Sequence, residues 1–190
     1  MKQESITRLL SLHKPDPDIP GGVWKRASVL ALFIPKKSGN ELLFTRRTDN
    51  VLDHKGQVSF PGGAVEPDDL SMEFAALREA YEEVGLKPEV IKVLGRSLDL
   101  FTTSGWWITP VVGWCDNLNE LFPNPTEVSR IFSIPVKWLV DPENWEIRTY
   151  NHNGIIRTNV IFYRLYDGEM LWGITAQLVH DLLGKLGLMK

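Results

Sequence analysis

The sequence predicts a layered domain that mixes helix and sheet, an α/β or α+β fold. Three observations carry that expectation. Apolar runs of strand length recur between residues 27 and 165. Two stretches, 71–84 and 173–186, have the length and spacing of substantial helices. The 190 residues are 43% hydrophobic and 24% charged with seven Trp, so one domain with short terminal additions can bury a core.

The elements follow in chain order. Ile6, Leu9, Leu10 and His13 suggest a short amphipathic helix, ended by Pro15 and Pro17. Residues 15–22 are rich in Pro, Gly and Asp and read as a linker, so 1–22 form a helix and arm, and 23–190 the domain. A buried strand over 27–34, a turn over 36–40 and a returning strand over 41–47 make a hairpin. A polar loop spans 48–55, with His54 as a structural member. Residues 56–65 start as strand and are punctuated by Pro61-Gly62-Gly63. The helix over 71–84 has Ser71 as N-cap and Gly85 as C-cap, and Pro88 prevents its resumption. Strands are expected over 91–101 and 108–115, a loop over 117–125, and mixed short elements over 127–139 broken at Pro135. A hairpin of 145–150 with 160–165 precedes the closing helix.

Several function classes are disfavoured. The net charge is −3 and no stretch is a dense Lys/Arg run, which argues against a duplex nucleic-acid partner. Cys115 is the single cysteine, lies in an apolar run and reads as core. The four histidines, His13, His54, His152 and His180, are scattered without zinc-ligand spacing. The N-terminus MKQESITRLL lacks an apolar signal core, and the longest apolar run, 29–34, is too short to span a bilayer. A soluble cytoplasmic protein with no membrane partner is expected.

Within the first long helix, Phe74, Leu77, Tyr81 and Val84 form one apolar stripe. Glu79, Glu82 and Glu83 gather on roughly the opposite side. Such a face is more often a solvated surface than a site. It is also what a hard-cation site looks like, because Mg²⁺ prefers oxygen ligands shared between carboxylates and phosphates. Two neighbours favour the site. Gly62 and Gly63 can bring backbone close to a ligand. Arg78 adjoins Glu79 and reaches Glu82 at i+4, where a guanidinium orients carboxylates.

The stretch 63–86 resembles the Nudix box, GX5EX7REUXEEXGU. The run Arg78-Glu79-Ala80-Tyr81-Glu82-Glu83-Val84-Gly85-Leu86 follows it, with Ala80 smaller than usual. The first box Glu falls on Asp69, and its spacing to Arg78 is one residue longer than the pattern. The subfamily resembling coenzyme A pyrophosphatases often carries that longer box and an upstream signature. Leu43, Thr45, Arg47, Gly56 and Phe60-Pro61-Gly62-Gly63 match the signature with its spacing, and Leu52 stands where it has arginine. Residues 108–112, Glu127-Val128 and 172–176 also look like this subfamily.

The resemblance implies a Nudix α/β/α sandwich with a mixed central sheet, and a Mg²⁺-dependent (or Mn²⁺-dependent) pyrophosphohydrolase. Glu79, Glu82 and Glu83, with the backbone carbonyl near Gly63, would hold the metal. Glu79 and Glu127 are the candidate proton acceptors, and Arg78 would orient the glutamates. Arg47, Gly62 and Trp106 are the candidate substrate contacts, Trp106 by stacking on a base. The implied substrate is coenzyme A or an acyl derivative, cleaved to 4′-phosphopantetheine and 3′,5′-ADP. An ADP-ribose or nucleotide-sugar pyrophosphatase is the alternative, fed by Leu52. A non-catalytic nucleotide-sensing module fits less well, because the box acids are all present. A homodimer is left open.

Overall fold

The computed structural model describes residues 1–12, 21–49, 56–118, 121–152 and 154–189. His13, Leu52 and His54 lie outside the described residues.

The main sheet grows from the predicted hairpin. Strands β1 (Lys25–Lys36) and β2 (Gly39–Arg47) pair antiparallel, with Phe33 opposite Leu42. β3 (Val58–Ser59) extends β2 on one edge. β4 (Gly62–Ala64) pairs antiparallel with β1, placing Gly63 opposite Ser28. The Pro-Gly-Gly punctuation thus ends one strand and begins another. Gly62 belongs in β4 because a Cβ there would stand 2.4 Å from the Ser28 carbonyl oxygen. Only a residue without a side chain lets the two backbones approach so closely.

Helix α1 (Gln3–Ser11) buries Ile6 and Leu10 in the core. Helix α2 (Met72–Val84) is capped at both ends as its sequence predicts. The Ser71 hydroxyl accepts from the Phe74 N–H at 3.1 Å. Gly85 adopts a left-handed φ of 70°, which lets the chain turn back and its N–H reach the Tyr81 carbonyl at 2.9 Å.

The predicted strand over 91–101 is two strands, β5 (Lys92–Arg96) and β6 (Leu100–Phe101). Both pair with β7 (Trp106–Trp114), which runs parallel to β1 and makes the sheet mixed. The mixed region over 127–139 is one eight-residue strand, β8 (Val128–Pro135), followed by the single turn α3 (Val136–Leu139). β8 pairs with β2 and so becomes part of the main sheet. The final hairpin is longer than its apolar cores suggest, with β9 (Trp145–His152) against β10 (Ile155–Tyr166). β11 (Glu169–Trp172), which the sequence pattern does not reveal, completes a three-stranded antiparallel sheet and leads into α4 (Gly173–Lys185). Arg130 of β8 joins the two sheets, paired with Asp167 and with Glu169 at 3.1 Å.

Side-chain alternation along β1 separates two apolar cores. Leu30, Leu32 and Ile34 pack with α2, whereas Ala31 and Phe33 pack with α1, α4 and the second sheet. The result is a layered α/β/α arrangement around a mixed central sheet. No helix among the described residues is long and apolar enough to cross a membrane.

The orientation of α2 departs from its apolar stripe. Phe74 and Tyr81 are exposed, while Leu77 is half-buried and Val84 buried. The side against the sheet is Met72, Ala75, Ala76, Ala80, Val84 and Glu83. Three alanines let the helix axis come close to the strands, and this turns the acidic side inward.

Candidate active site

Each residue of β4 meets one side chain of α2. The Gly62 N–H donates to Glu83 Oε2 at 3.3 Å. The Gly63 Cα lies against the Glu79 carboxylate, so close that a Cβ would stand 2.6 Å from Oε1. The Ala64 carbonyl accepts from Arg78 Nη2 at 3.1 Å. The glycine pair and the acidic helix, separated in sequence by the turn over 65–71, are therefore one constellation.

Arg78 lies between the acids of α2 and the turn before it. Its Nη1 donates to Glu79 Oε1 and to Glu82 Oε2, each at 3.0 Å. Its other side clamps Asp69, with Nε to Oδ1 at 3.0 Å and Nη2 to Oδ2 at 2.9 Å. This bidentate pair holds the Asp69 carboxyl below its ordinary value. Asp69 also accepts from the Glu66 N–H at 2.7 Å, which closes the turn before α2. Asp69, one methylene shorter than the glutamate of the box, thus reaches Arg78 directly.

The three glutamates differ sharply in environment. The Glu82 side chain is 53% exposed, whereas that of Glu83 is 3% exposed. Burial is the main reason the Glu83 carboxyl is pushed up to about 8. The Arg47 guanidinium and the Gly62 N–H oppose that rise, and the Glu79 and Glu127 charges add to it. Glu79 is raised for the same leading cause, desolvation, against the pull of Arg78 and with Glu82 and Glu127 adding. Glu127 is therefore near enough to act on both. Its placement follows from Thr48, whose N–H donates to the Glu127 carbonyl at 2.9 Å and whose hydroxyl donates to the Thr126 carbonyl at 3.1 Å.

Arg47 joins this group through Glu83, with Nη1 at 3.6 Å from Oε1. Arg46 points to the opposite face, 3.5 Å from Glu169. The Arg47–Glu83 pair is invisible in sequence, because the 35 positions between them carry no periodic signal. Among the described residues, no three His, Cys, Asp or Glu side chains converge closely enough to hold an ion as they stand. Guanidinium groups sit on the carboxylates instead.

Trp106 is not brought to this constellation. It shares a face of β7 with Ile108 and Val112, which pack on the side away from α2. Its ring lies under the Lys25 ammonium, 5.6 Å from the centroid. Trp107 is on the α2 side with Val111, and Arg26 lies over its ring at 4.5 Å. Cys115 is buried in the core on the α2 side.

The NUDIX domain model matches residues 24–152. Proteins named "Uncharacterized Nudix hydrolase NudL" from Yersinia pestis and Yersinia pseudotuberculosis are each 35% identical over 158 residues, covering 83% of this chain and 78% of theirs. Among solved structures, the MutT/nudix family protein from Enterococcus faecalis superposes with a TM-score of 0.56 at 13% identity, covering 98% of this chain and 74% of that one. The C. elegans Ap4A hydrolase binary complex gives 0.51 at 18% identity, covering 58% of this chain and 80% of that one. At these identities the structural likeness concerns the fold, and it agrees with the mixed sheet and the flanking helices. The family match over most of the chain, and the identity to relatives across most of their length, place this protein among the Nudix hydrolases, enzymes that split diphosphates of nucleoside-linked compounds.

Proposed function

We propose that the chain hydrolyses the diphosphate of coenzyme A or an acyl derivative to 4′-phosphopantetheine and 3′,5′-ADP, with Mg²⁺ or Mn²⁺ as cofactor, in the cytoplasm. The observation that carries the catalytic part is the meeting of β4 and α2. It sets two desolvated carboxylates, Glu79 and Glu83, against a glycine backbone, with Glu127 near enough to perturb both.

The donor set fits a hard divalent cation. It is all oxygen, it is acidic, and the missing side chain at Gly63 leaves the Glu79 carboxylate room. Glu79, Glu82 and Glu83 would hold the ion with the Gly63 carbonyl. Bound there, a divalent cation neutralises phosphate charge and acidifies water. Arg78 keeps Glu79 and Glu82 aimed. Glu79 or Glu127 takes the proton of the attacking water. The Gly62 N–H anchors Glu83, and Arg47 offers a guanidinium to a phosphate oxygen. Trp106 lies on the other sheet face, so its proposed stack on the base draws no support from the geometry.

The coenzyme A assignment rests on the signature from Leu43 to Gly63. Leu52 favours the second reading, an ADP-ribose or nucleotide-sugar pyrophosphatase, because a charge-assisted phosphate contact is worth about 1.5–3 kcal/mol and leucine cannot make one. The test is turnover of coenzyme A, dephospho-coenzyme A, ADP-ribose and UDP-glucose with Mg²⁺, read by product mass. Coenzyme A should be cleaved with a high KM, and Leu52→Arg should lower that KM more than the KM for dephospho-coenzyme A. No cleavage of coenzyme A beside efficient ADP-ribose hydrolysis would establish the second reading.

A further inference from the structure

The Glu83 carboxylate is almost wholly buried, yet its contacts are sparse. Oε2 has the Gly62 N–H at 3.3 Å, and Oε1 faces Arg47 Nη1 at 3.6 Å. The second distance is an ion pair without a good hydrogen bond, so it is easily exchanged. When ionised, a buried carboxylate needs a compensating charge, and among the described residues Arg47 is the one cationic side chain paired with Glu83.

Arg47 itself is held at the backbone, while among the described residues the contact found at its tip is the 3.6 Å pair with Glu83. Its N–H donates to the Gln57 carbonyl at 3.0 Å, and its carbonyl accepts from the Ser129 hydroxyl at 3.3 Å. Its side chain is 28% exposed, so the guanidinium can swing without moving the strand. A divalent ion on Glu83 would repel the nearby Arg47 guanidinium, and Arg47 lacks the bidentate clamp that Asp69 gives Arg78, so the 3.6 Å pair is the contact that gives way.

We propose that Arg47 is a positioning residue that stands in for the divalent cation on Glu83, yields the carboxylate when the ion binds, and turns its freed guanidinium to a phosphate oxygen of the substrate. The inference rests on reading Glu83 as a cation ligand. It couples two events: loading of the ion releases the group that grips the anion, so the anion site is complete only in the loaded protein.

The test uses Mn²⁺ alone as probe, with free Mn²⁺ read by electron paramagnetic resonance during titration of the full chain. Arg47→Gln removes the competitor and should bind Mn²⁺ about three- to tenfold more tightly than wild type. The same variant should show a KM for coenzyme A raised about tenfold or more. Arg47→Lys keeps the competing charge and should bind Mn²⁺ like wild type, while losing the forked contact to phosphate. Arg47→Met serves in place of Arg47→Gln should the latter not fold. Unchanged or weaker Mn²⁺ binding on removal of the guanidinium overturns the exchange. Glu83→Gln is the separate control: wild-type Mn²⁺ affinity there would overturn Glu83 as a ligand, whatever Arg47 does.

Discussion

A methyl group on the Cα of Gly63 would stand 2.6 Å from the carboxylate carbon of Glu79, whereas one on Gly62 would stand 2.6 Å from the Cα of Val29. The first obstacle is the end of a side chain and can swing aside. The second is backbone and cannot. Gly63→Ala should therefore fold with a loss of about 1 kcal/mol or less while kcat falls at least tenfold, because Glu79 has been displaced. Gly62→Ala should cost about 3 kcal/mol or more. Urea denaturation beside steady-state kinetics separates the two. Normal turnover by Gly63→Ala would remove Glu79 from the reacting centre.

Glu83→Gln and Glu82→Gln should differ in stability rather than in chemistry. Both should lower kcat by about two to three orders of magnitude. Glu83→Gln removes a buried ionisable group and imitates its protonated form, so Tm measured in chelator should hold or rise. Glu82→Gln acts at an exposed position and should shift stability by less than about 0.5 kcal/mol. Either variant folded and fully active would overturn the assignment of that glutamate.

The pH dependence of stability should have an unusual sign in chelator. Glu83 is raised from the ordinary glutamate value of 4.5 to about 8, so between these values the native state keeps a proton that the unfolded chain releases. Its contribution is full below the lower value and declines as pH rises through the window, at up to about 1.4 kcal/mol per pH unit. Glu79 acts in the same direction. Glu73, lowered to about 2 by Arg96, acts oppositely and only at lower pH. Tm in EDTA should thus fall from about pH 5 to about pH 8, and added Mg²⁺ should reverse the slope because its ligands must be deprotonated. A Tm rising with pH in EDTA would contradict the desolvated state of these carboxylates.

Asp69→Asn breaks the charged clamp on Arg78. The Asp69 side chain is only 1% exposed, so the cost should be about 2 kcal/mol. Because Arg78 also aims Glu79 and Glu82, kcat should fall about tenfold with KM less affected. Calorimetry and kinetics on one preparation test both parts, and an unchanged kcat would confine Asp69 to a structural role.

What the sequence made legible was local. Ser71 and Gly85 bound α2 because capping is decided within a few residues, and the β1–β2 hairpin follows from alternation around a short turn. β11 escapes notice because four residues beside Asp167-Gly168 carry too little pattern. Gly62–Ala64 reads as loop because glycine has poor strand propensity, and tertiary approach to Ser28 and Val29 overrides it. The apolar stripe of α2 misleads for a related reason. Hydrophobicity alone sends Phe74 and Tyr81 inward, but Ala75, Ala76 and Ala80 give the closer fit to the sheet, and Glu79 and Glu83 turn inward with them. A conflict between local pattern and final structure is expected where function sets the orientation. The box letters singled out Glu79, Glu82 and Glu83 as neighbours on one helix, while the Arg47–Glu83 contact needed the folded chain.

Arg46 and Arg47 also constrain how this strand can vary in length. The two neighbours serve opposite layers, Arg46 toward Glu169 and Arg47 toward Glu83. Adding or deleting one residue inside β2 would interchange them and invert every side chain beyond, sending Thr45 and Phe44 to the wrong layers as well. Length changes should be tolerated in the turn at 37–38, ahead of the strand, and selected against from Glu41 onward. A library of single-residue insertions scanned along 36–48 would show that boundary as a sharp step in the yield of folded protein.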